Sequence, residues 1–198
     1  MSLHPTAHDL MGGQDFAGQA HRTVVVHGAA LASVPVLFLG LLGLSRRLGR
    51  SDLATAALVA FGFGGVAVMT AAVASGFVAT GLMRQILDGD GGSPEAYHAL
   101  LSYTGLVNQG FARVGVVAWA VAVMLWSGAI LKSRRMPRGL GIAGAMVGAG
   151  ILSAVLVGHL PLNVHGFGLV TFAQSGWQIW IGVLLCREGP VTSAPTAG

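Results

Sequence analysis

Seven histidines are the residues of this chain best suited to chemistry. Neutral imidazole is the commonest metal ligand in proteins and takes zinc, copper, nickel and haem iron. His21, His27, His98, His159 and His165 stand at or near the ends of long apolar runs, while His4 and His8 lie in a polar N-terminal segment. Convergence of those five predicts a transition-metal site, zinc or copper, with Asp88, Asp90 and Glu95 as further oxygen donors. An open coordination position would make such a centre hydrolase-like, because a bound metal acidifies its water. No general base for that reaction is identifiable in the sequence. Two imidazoles from different helices could instead be axial ligands of a b-type haem. The plainer alternative is that each imidazole only makes hydrogen bonds.

Two of the histidine pairs resemble one another. Residues 21–28 read HRTVVVHG and residues 159–166 read HLPLNVHG, both H-x5-H-G with Val before the second His. Histidines six apart on one helix point about 240° apart, so an unbroken helix cannot chelate with both. Pro161 and Asn163 supply a break in the second copy, which sets His159 and His165 facing each other across a turn. The competing reading is chance similarity in a chain rich in Val, Gly and Leu.

The elements that must position these groups follow from composition. The chain has 198 residues, 54% hydrophobic and only 9% charged, with a mean hydropathy of +0.72. A soluble domain carries about 25% charged residues, so a soluble enzyme and a disordered binder are both excluded. Its 31 glycines have no three-residue period and lie inside apolar runs, as in close-packed membrane helices. A net charge of +4 does not point to nucleic acid, because the basic residues form short clusters between apolar runs. The single cysteine, Cys186, excludes an intrachain disulfide, a CxxC redox pair and a thiolate metal cage.

A spanning helix needs about 20 mostly apolar residues. Five stretches qualify, at about 23–44, 53–83, 111–131, 139–158 and 167–186, predicting an all-α integral membrane bundle. The second is longer than needed and must tilt or project. Between it and the third, 88–94 is a polar loop and Ala96 to Gln109 reads as an interfacial helix. Residues 1–22 form a polar tail that lacks the positive start of a cleavable signal peptide, and residues 187–198 a disordered one. Eight basic residues (Arg46, Arg47, Arg50, Lys132, Arg134, Arg135, Arg138 and Arg187) fall on one side of a five-span topology, against Arg22, Arg84 and Arg113 on the other. The positive-inside rule then places the N-terminus outside, the C-terminus in the cytoplasm and the protein in the inner membrane of a bacterium. All seven histidines fall on the outer side.

Other polar residues extend the expected site. Thr171, Gln174 and Gln178 share a face of the fifth span, either hydrogen-bonding to Ser75, Ser127 or Ser153 or walling a pocket beneath His159 and His165. Asn108 and Arg113 sit at the outer mouth of the third span, where Arg113 either meets an anion or snorkels to the interface. Trp177 and Trp180 are pocket walls or packing and lipid-facing aromatics. Gly144 and Gly148 form a GxxxG pair that packs within the chain or binds a second copy or another membrane protein. The predicted spans contain no Asp or Glu, which disfavours a proton-coupled pump or transporter. The P-loop, HExxH, GxSxG and CxxCH motifs are missing. The expected protein is thus a small polytopic membrane protein binding a transition metal on its outer face. A membrane b-type cytochrome and a non-catalytic subunit acting through helix packing are the alternatives.

Overall fold

The computed structural model describes residues 16–49, 51–89, 93–158 and 164–187. Among the described residues it is all helical, without strands: α1 (Phe16–Arg47), α2 (Asp52–Asp88), α3 (Pro94–Ser133), α4 (Arg138–Leu156) and α5 (Val164–Arg187). Each holds a stretch long and apolar enough to cross a membrane, which makes the chain a multi-pass membrane protein by length and composition. The expected tail at 1–22 is helical from Phe16 onward; residues 1–15 and 188–198 lie outside the described residues.

Local sequence accounts for the boundaries. Ser51 caps α2, its hydroxyl accepting from the Ala54 N–H at 3.3 Å, and Gly89 ends that helix at φ 72°. Ser93 caps α3 in the same way, accepting from Ala96 at 3.2 Å, with Pro94 at the first helical position. Pro35 lies inside α1 without ending it, as membrane helices tolerate.

The expected interfacial helix at Ala96 to Gln109 is corrected: α3 runs unbroken for 40 residues, or about 60 Å. Mixed polarity there reads as a separate segment, but Gly105 and Gly110 alone do not stop a helix that tertiary contacts support. The last part of α2, Ala79–Asp88, packs on α3. Thr80, Met83 and Thr104 are buried there.

α3 is the centre of the bundle, with α2 on one side and α4 on the other; α1 packs on α2 and α5 on α4. α2 and α3 meet closely where Gly64 and Gly115 face each other. A Cβ on Gly64 would stand 3.0 Å from the Gly115 carbonyl oxygen, and one on Gly115 3.1 Å from that of Gly64. Lipid tails are as apolar as leucine, so such close approach and interhelical hydrogen bonds must supply the association energy. Three tryptophans contribute bonds: Trp119 donates to the Phe61 carbonyl at 3.1 Å, Trp126 to Ser45 Oγ at 3.0 Å and Trp177 to the Leu140 carbonyl at 3.1 Å. Phe61 stacks on Trp119, with centroids 5.3 Å apart. Trp177 is therefore a packing residue, whereas Trp180 is exposed.

Candidate functional site

The described histidines divide sharply. His21, His98 and His165 are exposed, His27 is only 7% exposed, and His159 lies outside the described residues. Six residues apart on one continuous helix, His21 and His27 look in different directions, as the helical angle requires. Among the described residues no three His, Cys, Asp or Glu side chains gather closely enough to hold a metal. The expected convergence of His21, His27, His98 and His165 into one ligand set is thus not seen there. Asp88 and Glu95 are exposed as well.

His27 sits where α2 changes its winding. Between Ala74 and Val78 the helix widens into a π turn, with the Ala79 N–H reaching back to the Ala74 carbonyl. π turns are uncommon and concentrate at functional sites. The imidazole lies directly over Gly76, where any Cβ would collide with His27 Cβ and Cγ. His27 Nδ1 is 2.8 Å from the Thr23 carbonyl oxygen one turn earlier. A carbonyl can only accept, so Nδ1 carries a hydrogen. Nε2 lies 2.9 Å from Ser75 Oγ. That hydroxyl is also 3.0 Å from the Ala71 carbonyl.

Ser75 has one hydrogen for two acceptors. A neutral His27 takes that hydrogen at Nε2. A doubly protonated His27 donates from Nε2 to Ser75 Oγ, and the hydroxyl then turns to Ala71. The arrangement accommodates both charge states by rotating a single O–H bond.

A polar line leads to this ring. Gln19, Thr23 and His27 follow i, i+4, i+8 spacing and share one face of α1. Gln19 Oε1 and Thr23 Oγ1 are buried with no hydrogen-bond partner among the described residues. His27 lies 20 residues before Arg47, or about 30 Å along the helix, close to one hydrocarbon thickness.

No protein-family profile, curated protein or solved structure matches the chain.

The remaining expected residues scatter. Gln174 is 3% exposed and its Nε2 has no partner among the described residues. Its expected bond to Ser75, Ser127 or Ser153 is therefore not made: Ser127 donates to the Val123 carbonyl at 2.7 Å, Ser75 serves His27, and Ser153 is exposed. Gln178 and Asn108 are half-buried, and Thr171 and Arg113 are exposed. Gly144 and Gly148 are buried inside the chain, Gly144 against Ser127 and Trp177 and Gly148 against Met124 and Ala120. Sequence reasoning missed Gln19 and Thr23, and did not connect Ser75 or Gly76 with His27. The signal that could have found them was the one-turn polar spacing of Gln19, Thr23 and His27.

Proposed function

We propose that the protein is a multi-pass protein of a bacterial inner membrane, N-terminus outside, whose functional centre is a proton- and hydrogen-bond-accepting site at His27. The observation that carries this reading is the His27 Nδ1 bond to the Thr23 carbonyl, which leaves Nε2 as the basic atom of a buried ring. An ionisable side chain within a membrane helix is costly and marks a functional site by default. Gln19 Oε1 and Thr23 Oγ1 add acceptors on the approach from the outer face, suited to water or another small hydrogen-bond donor. The site binds; with no acidic residue in the spans, no transport step is assigned to it.

The test is nitrogen-15 spectroscopy of histidine-labelled protein in lipid nanodiscs, combined with metal analysis and an absorption spectrum. The His27 ring is expected to show a protonated Nδ1 and to change charge state while the fold persists. A ring that keeps one charge state until the protein unfolds overturns the reading. A stoichiometric zinc or copper ion lost in His159→Ala or His165→Ala would replace it with the metal centre, and a Soret band with a b-type haem. Tight co-purification of another membrane protein, with none of these signals, would favour the non-catalytic subunit. Sidedness is tested separately: labels at Ser93 and Thr192 should react from opposite faces of the membrane.

A further inference from the structure

We propose that the groove between α2 and α3 binds a phospholipid carrying a primary amine in its head group. The groove is shallow and open to the bilayer, and it runs from Asp52 and Thr55 past Ala56 and Ala60 to Phe63, with Ala118 as part of its far wall. The alanines leave room between the helices, and exposed Val59 and Phe63 raise its rim. From Asp52 to Phe63 the helix rises about 16 Å, close to the half-thickness of a hydrocarbon core of about 30 Å. One acyl chain can therefore lie along the groove with its head group level with Asp52.

Charge selects the head group. At this end of the bundle the described basic residues are Arg46, Arg47, Lys132, Arg134, Arg135, Arg138 and Arg187, all but Arg47 exposed, and they favour any lipid phosphate. Asp52 is the one acidic side chain among the described residues at the same end, and it is exposed at the mouth of the groove. A carboxylate there repels purely anionic head groups and pairs with an ammonium. An amine-headed phospholipid satisfies the arginines through its phosphate and Asp52 through its nitrogen. The inference is independent of the His27 reading.

The experiment uses the full chain in nanodiscs of mixed phosphatidylethanolamine and phosphatidylglycerol, with the lipids that stay bound after mild detergent extraction weighed by native mass spectrometry. Several-fold enrichment of phosphatidylethanolamine is expected. Asp52→Asn should abolish that preference while Asp52→Glu retains it, and Ala56→Leu should lower retention of both lipids. Equal retention of the two lipids by the unaltered protein overturns the proposal, as does a preference that survives Asp52→Asn. A protein, in place of lipid, crosslinked in native membranes to a photoreactive group at position 59 also overturns it.

Discussion

His27 and Gly76 occupy one space across the α1–α2 interface: the imidazole rests where the side chain of any other residue at 76 would project. The absent Cβ, the wider π turn around it and the adjacent Ser75 hydroxyl form a seat for the ring. The consequence is tight coupling between the winding of α2 and the position of a buried base on α1.

Gly76→Ala should therefore behave unlike other glycine substitutions in α2. Overpacking of this kind costs about 1–3 kcal/mol, and the ring must shift away from Ser75. Gly81, where an added Cβ would meet only open space, is the control: Gly81→Ala should be neutral or stabilising by up to about 1 kcal/mol. Unfolding of purified protein in mixed micelles would compare them, and equal stability of the two variants would refute the seat.

Ser75→Ala removes the hydroxyl bonded to His27 Nε2. A net loss of about 0.5–1.5 kcal/mol is expected, with a changed Nε2 nitrogen-15 shift and an unchanged Nδ1 shift, because the Thr23 carbonyl bond remains. A variant that leaves both ring nitrogens unmoved would show that the hydroxyl does not engage the ring.

Trp126 and Ser45 should be energetically coupled. The indole N–H donates to Ser45 Oγ at 3.0 Å, and the serine in turn donates to the Ala54 carbonyl at 3.3 Å, so one chain of bonds joins α3, α1 and α2. Ser45→Ala leaves a buried indole donor unpaired, at about 1–3 kcal/mol. A double-mutant cycle with Trp126→Phe should return a coupling near the average of about 0.6 kcal/mol measured for such bonds in membranes; strict additivity would refute the link.

Gly144→Leu and Gly148→Leu should disrupt the monomer itself. Leucine at 144 would drive into Ser127 and Trp177, and at 148 into Met124 and the Ala120 carbonyl. Loss of folded protein without a change in oligomeric state is the expected result, measured by unfolding and by mass in detergent. A dimer that falls to a folded monomer would instead place this strip between copies.

How much was legible in the sequence differs from element to element. Five spans, their order and the arginine-rich connections could be read directly, because the cost of placing a residue in lipid is local and sums along the chain. The continuous α3 could not, since mixed polarity over 94–110 looks the same whether the helix breaks before Phe111 or runs through. His27 was one of five equivalent candidates by type, and the line of Gln19 and Thr23 leading to it was overlooked. Which face of each helix is buried was hidden for the same reason throughout: Val116 is fully buried and Val114 is exposed, yet both are valines in one apolar run. In water, a buried face announces itself by contrast with a polar one. In lipid both faces are apolar, so the sequence determined that five helices are long and apolar enough to cross, and roughly where they lie. Close glycine contacts and paired indoles decided which helices meet, and thereby that His27 alone of the described histidines lies inside.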